Sequence, residues 1–177
     1  MNQQEKDKMV RKLIDTNTTI STMESCTSGL IASMITDTEG ASAVFPGGYV
    51  TYLNKTKILC GVDEKIIKEH GVYSKQCARA MAETAQKNLH TEIAVGITGT
   101  TGNVDPNNAD SMQGKVFFCI LVGENAYDYE YNALSYSKIL ILMTSFRFRV
   151  RNSVRIPFWI HSSTARSTAW FKGMSVA

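Results

Sequence analysis

Residues 19–36 read TISTMESCTSGLIASMIT. The opening stretch, Thr19–Met23, is short and rich in β-branched residues, which predicts a strand. Glu24–Gly29 is small and polar, as in a turn. From about Thr27 to Thr36 the apolar residues follow helical spacing, so a helix is expected. A strand that runs through a polar turn into a helix is the unit of an α/β domain. A second such strand is expected at Ile93–Thr98 (IAVGIT), continuously apolar and therefore covered on both faces. It ends in a glycine-bearing turn, Gly99 to Gly102.

The flanking sequence extends this pattern. Met9, Val10, Leu13 and Ile14 share one side of an opening helix. Gly40–Pro46 reads as a loop, Gly48–Leu53 as a strand, and Asn54–Leu59 as a short helix or turn. Asp63–His70 reads as a helix closed by Gly71. Ser74 is placed to cap a helix whose stripe is Cys77, Ala78, Met81, Ala82, Ala85 and Leu89. Residues 103–113 form a loop rich in Asn and Asp, and Lys115–Val122 (KVFFCILV) is the strongest strand. The stretch YDYEYNA, from Tyr127, reads as an edge strand. The sum is an α/β domain over residues 1–130.

At 177 residues, 44% hydrophobic and 20% charged, the chain is long enough for one domain with a real core. No stretch approaches the roughly 18–20 apolar residues of a membrane span, and the first residues hold no apolar signal core. A cytoplasmic protein without a membrane partner is expected. The net charge of +3 hides a split. Residues 1–130 hold all 16 acidic residues and 12 Lys or Arg, whereas residues 131–177 hold 7 Lys or Arg, no acid and both Trp, Trp159 and Trp170. Such a tail fits a nucleic-acid-binding segment, a divergent replacement for a closing helix, or a segment read in a shifted frame. The acidic balance of residues 1–130 argues against a nucleic-acid partner. Cys26, Cys60, Cys77 and Cys119 form no C-x-x-C pair, and no His/Cys/Asp cluster has ligand spacing. Neither a metal nor a cofactor is expected.

Open α/β sheets bind ligands at the carboxyl ends of their strands. Two polar turns lie at such ends, Glu24–Gly29 and Thr98–Gly102. In the first, Ser25 or Cys26 could attack a carbonyl, or Ser25 or Thr27 could simply cap the helix. A serine nucleophile needs a base. His70 and His90 both lie at helix ends, the third histidine is His161, and no G-x-S-x-G elbow is present. Lys55 and Lys57, just after the Gly48–Leu53 strand, are the alternative if burial lowers an amine pKa.

Several blocks together resemble a known family. MESCTSGLIASMITDTEGASAVFPGGYVTYLNKTK (23–57) is followed by LCGV (59–62), EHGVYS (69–74), ARAMAE (78–83), AVGITGTTG (94–102) and QGKVFF (113–118). In this order they resemble the CinA C-terminal domain family, which includes nicotinamide-nucleotide amidases, over roughly residues 5–122. The resemblance implies a cytoplasmic three-layer α/β/α domain with a mostly parallel central sheet, which hydrolyses the carboxamide of nicotinamide mononucleotide to nicotinic acid mononucleotide and ammonia. It implies Ser25 as nucleophile, Lys57 as base and Tyr52 as an orienting or relaying residue. Main-chain N–H groups near Cys26 and Thr27 would hold the oxyanion. Thr98, Gly99 and Gly102 would form a phosphate or ribose loop. A small-molecule substrate and self-association are also implied.

The chain departs from the family pattern in three places. Ser28 stands where a second glycine is usual. Residues 103–113 replace the usual glycine-rich loop. In the tail, Arg147, Val150 and Arg151 reproduce an R-x-x-V-R element without its preceding glycine, and a matching Arg147 would bind the substrate phosphate. The altered loop and tail motivate an alternative, a non-catalytic nucleotide-binding or interaction protein on the same scaffold.

Overall fold

Strand β1 (Ile20–Glu24) is buried along its whole length and forms the middle of the site-bearing half of the sheet. It pairs in parallel with β2 (Gly47–Val50) on one side and β3 (Ile93–Gly99) on the other. Strand β4 (Lys115–Val122) then pairs antiparallel with β3, and β5 (Asn125–Asn132) antiparallel with β4. The five-stranded order is β2-β1-β3-β4-β5. The computed structural model describes residues 3–102 and 104–132. Residues 133–177 of the basic tail, with Arg147, His161 and both Trp, lie outside the described residues.

Four strands point the same way and β4 alone is reversed, so mostly parallel holds for strand direction but not for pairing. Two of the four pairings are antiparallel. Among the described residues no helix lies between β3 and β4, and a parallel neighbour needs a crossover. The chain returns through residues 100–114 and then turns tightly at Gly123 (φ +57) into β5.

Alternation along the strands makes the three layers. Ile93, Val95 and Ile97, with Val116, Phe118 and Ile120, face one core beside α1 (Gln3–Asp15) and α2 (Leu30–Thr36). Ala94, with Phe117, Cys119 and Leu121, faces the other, beside α5 (Lys75–Leu89). Helices α3 (Asn54–Cys60) and α4 (Glu64–His70) connect β2 to α5. Asp63 and Ser74 cap α4 and α5 by accepting the N–H of Lys65 and Cys77. The loop expected over Gly40–Pro46 contains one short 3-10 turn, Ala41–Ala43.

Two expected boundaries shift. Helix α2 starts at Leu30 rather than Thr27, with neither Ser25 nor Thr27 as its cap. The carboxylate of Glu24 takes that role. Its Oε2 accepts the Ile31 N–H at 3.1 Å and its Oε1 the Ala32 N–H at 2.8 Å. Strand β2 ends at Val50, three residues before the expected Leu53.

Helix α5 lies unusually close to β3. A Cβ on Gly96 would sit 2.1 Å from the Ala78 carbonyl oxygen and 2.5 Å from the Ala82 nitrogen. Both obstacles are backbone and cannot rotate away. Gly96→Ala should therefore destabilise the fold by about 3 kcal/mol or more, at or above the upper end of ordinary overpacking. Urea denaturation measures this, and a loss below about 1 kcal/mol would show that α5 shifts freely.

Candidate active site

The carboxyl end of β1 is held from both sides. The Thr51 N–H donates to the Glu24 carbonyl at 2.7 Å, and the Ser25 N–H to the Ile97 carbonyl at 3.1 Å. Ser25 thus leaves the sheet at a fixed point. The chain then turns through Ser28, whose φ of +54 is left-handed. That conformation is unusual for a residue with a Cβ, which accounts for glycine being usual at the resembling position.

On the other side, residues 51–53 carry the chain from β2 into α3. Lys57 is the buried residue of that helix, with 1% of its surface exposed. Its Nζ donates to the Thr51 carbonyl at 2.8 Å and to Ser25 Oγ at 3.2 Å. No carboxylate among the described residues forms an ion pair with it. Burial pushes the amine below its ordinary pKa. Ser25 meets both this amine and a pocket of about 600 Å3.

The structure brings most of the candidate residues together. Ser25, Cys26, Tyr52, Gly99 and Gly102 line the pocket, with Lys57 behind Ser25. Tyr52 is largely exposed at 71%. Lys55 also lines the pocket. Two candidate side chains face elsewhere. Thr27 Oγ1 donates to Glu24 Oε2 at 2.6 Å, and Thr98 Oγ1 donates to the Val72 carbonyl at 3.0 Å. Neither side chain lines the pocket, because each satisfies a buried acceptor. Gly99 (φ +150) is required by packing, since a Cβ there would lie 2.4 Å from the Lys115 carbonyl oxygen. A Cβ on Gly102 would meet nothing within 4 Å. His70 and His90 are exposed helix-end residues away from the pocket. Arg147 lies outside the described residues. No group of three or more His, Cys, Asp or Glu among the described residues is placed to hold a metal ion.

Residues 2–148 match the sequence profile of the CinA C-terminal domain. The chain belongs to that family. It is 38% identical over 124 residues to the Protein MG115 homolog of Mycoplasma pneumoniae, covering 69% of this chain and 77% of that one. It is 41% identical over 121 residues to a CinA-like protein of Mycobacterium marinum, covering 67% of this chain but only 27% of that longer one. The competence/damage inducible protein CihA of Agrobacterium tumefaciens superposes with a TM-score of 0.71 at 28% identity, over 80% of this chain and 88% of that one. A CinA superfamily protein of Klebsiella pneumoniae shares the fold, with a TM-score of 0.73 at 20% identity over 82% and 92%.

Within this CinA-type scaffold, one wall of the pocket comes from residues that local patterns did not single out. Asp105 accepts the Asn107 N–H at 2.9 Å, the Tyr73 hydroxyl at 2.7 Å and the Asn108 amide at 2.5 Å. These bonds hold its carboxyl down at about 2, the Asn107 N–H contributing most. The Asn54 amide, at the start of α3, donates to Asn108 Oδ1 at 2.8 Å. Burial, reinforced by the bond to Asp105, raises the Tyr73 hydroxyl well above its usual range. Runs of Asn and Asp mark the 103–113 loop as turn-forming, but these partners lie 32 and 54 residues away in sequence.

The buried amine has a thermodynamic signature. In the unfolded chain Lys57 holds its proton up to the ordinary 10.5, whereas in the folded chain it releases it at lower pH. Between the two values the unfolded state binds more protons, so stability rises with pH. Comparing the parent with Lys57→Met by urea denaturation isolates this slope. The clean window is pH 7–8, a unit or more below the ordinary thiol value of 9.0 at which unfolded Cys26 and Cys77 are half ionised. The parent should gain stability relative to Lys57→Met across that window. Parallel profiles would mean that Lys57 stays charged when buried.

Proposed function

We propose that the protein is an amidohydrolase that cleaves the carboxamide of nicotinamide mononucleotide, with Ser25 as nucleophile and Lys57 as base. The observation that carries this reading is the 3.2 Å contact between Ser25 Oγ and a buried lysine amine with which no carboxylate among the described residues forms an ion pair. Membership of the CinA C-terminal domain family, which includes amidohydrolases, supports the reaction class. The pocket's volume suits a single mononucleotide.

In this reading the neutral Lys57 amine takes the Ser25 proton as Oγ attacks the amide carbon. The oxyanion meets the main-chain N–H groups of Cys26 and Thr27, neither of which donates to another residue among those described. Lys57 then passes its proton to the departing nitrogen, and ammonia leaves. A water, deprotonated by the same amine, attacks the acyl-Ser25 carbonyl. The C–O bond to Ser25 breaks, Oγ regains a proton, and nicotinic acid mononucleotide is released.

Tyr52 fits an orienting role better than a relay. Lys57 already touches Ser25 directly, while the tyrosine is exposed at the pocket. The Gly99–Gly102 turn is assigned to ribose or phosphate. The family resemblance adds Arg147 at the phosphate.

Ammonia release from nicotinamide mononucleotide tests the proposal. Ser25→Ala should lose about 10³-fold or more in kcat, and Lys57→Met about 10²–10⁴-fold. Tyr52→Ala should act chiefly on KM. In the parent, kcat/KM should rise with pH as Lys57 loses its proton. Folded protein that releases no ammonia, or an undiminished rate in Ser25→Ala, overturns the reading.

A further inference from the structure

We propose that the Asp105 carboxylate selects a positively charged N-substituted pyridinium ring over the same ring in its neutral, reduced form. This rests on the amidase reading above, and names what the pocket demands of the ring that carries the amide.

The pocket lining contains two ionic side chains among the described residues, Lys55 and Asp105. Asp105 is held by neutral donors only, from Asn107, Tyr73 and Asn108. Its Oδ1 accepts two bonds from Asn107, and its Oδ2 accepts one from Tyr73 and one from Asn108. A carboxylate offers about four acceptor positions, so little is left for hydrogen-bonding a ligand. What it presents to the pocket is negative charge. No Lys, Arg or His among the described residues forms an ion pair with it, and its charge acts on the buried Lys57 amine only through space.

The surroundings favour a cation in the same space. Tyr52 and Tyr73 line the pocket beside Asp105, and aromatic rings attract cations through their faces. Burial lowers the pKa of Lys57, the nearby amine, while the Asp105 charge acts the other way, so a cationic ring meets less opposition there than from an ordinary lysine. Lys55 gives a phosphate its counter-charge. One fixed charge of each sign matches a zwitterion made of a pyridinium and a phosphate. Reducing the ring removes the positive charge but keeps the carboxamide, ribose and phosphate, so phosphate contacts cancel in the comparison.

The experiment measures Kd by calorimetry on the Ser25→Ala chain, which binds without turnover. The probes are nicotinamide mononucleotide and its reduced dihydropyridine form, each with and without the further change Asp105→Asn. The oxidised form should bind about fivefold more tightly than the reduced one, as expected for unit charges near 4 Å in a wet site. Asp105→Asn should bring the ratio close to one by weakening the oxidised form alone. Added salt should narrow the ratio in the Asp105 chain. Equal weakening of both forms would mean that Asp105 only holds the loop, and an unchanged ratio would mean that its charge is not felt. Either result overturns this inference and leaves the amidase reading standing. Binding of neither form overturns both.

Discussion

A lysine amine withdrawn from water between a serine hydroxyl and a main-chain carbonyl is the constraint on which the site depends. Burying an ammonium without a partner costs several kcal/mol, and proteins avoid that by releasing the proton. Among the described residues, Lys57 has hydrogen bonds to Ser25 and Thr51 but none to a carboxylate. A carboxylate stands next to Ser25 in the sequence, at Glu24, and pairing with it would hold the amine charged. Glu24 is committed elsewhere. Its oxygens accept the N–H groups of Ile31 and Ala32 and the hydroxyl of Thr27. The same bonds cap α2 and keep Glu24 from pairing with the lysine.

The sheet fixes this arrangement to its own backbone. The Thr51 N–H extends the β1–β2 pairing to the Glu24 carbonyl, and the Thr51 carbonyl turns to Lys57. One residue therefore ties the strand end and the amine together. On the far side, the Ser25 N–H to Ile97 continues the pairing with β3. Beneath β3, the close approach of α5 at Gly96 leaves no slack for the strands to slide. Placement of the Ser25 oxygen is thus a property of the core rather than of a loop.

The elements were largely legible because their periods are clean. IAVGIT and KVFFCILV read as buried strands, and the Ala78–Ala82–Ala85 stripe read as the inner face of α5. Errors fell where a distant group overrides the local pattern. The start of α2 moves to Leu30 because its cap, Glu24, lies seven residues before Ile31. Strand β2 stops early because the Thr51 carbonyl is turned to a lysine. Lys55 and Lys57 stand two apart, and no periodicity in so short a segment decides which one faces inward. Helix α3 buries Lys57 and leaves Lys55 on the pocket. The bonds from Tyr73 to Asp105 and from Asn54 to Asn108 have no local signature at all, because each joins segments that only the fold brings together.

The neighbouring thiol shows why contact, rather than intrinsic reactivity, decides the nucleophile in the proposed reaction. A free cysteine ionises far more readily than a serine, and Cys26 lines the same pocket. Here burial pushes its thiol up to about 12, outweighing the pull of Lys57 toward the thiolate. At neutral pH Cys26 is a protonated thiol with no base among the described residues in hydrogen-bond contact. Ser25 needs no standing anion, because its proton can leave along an existing hydrogen bond while the new C–O bond forms. The pressure that disarms the thiol also drives the lysine neutral, so one desolvated environment suppresses Cys26 and makes Lys57 available to Ser25.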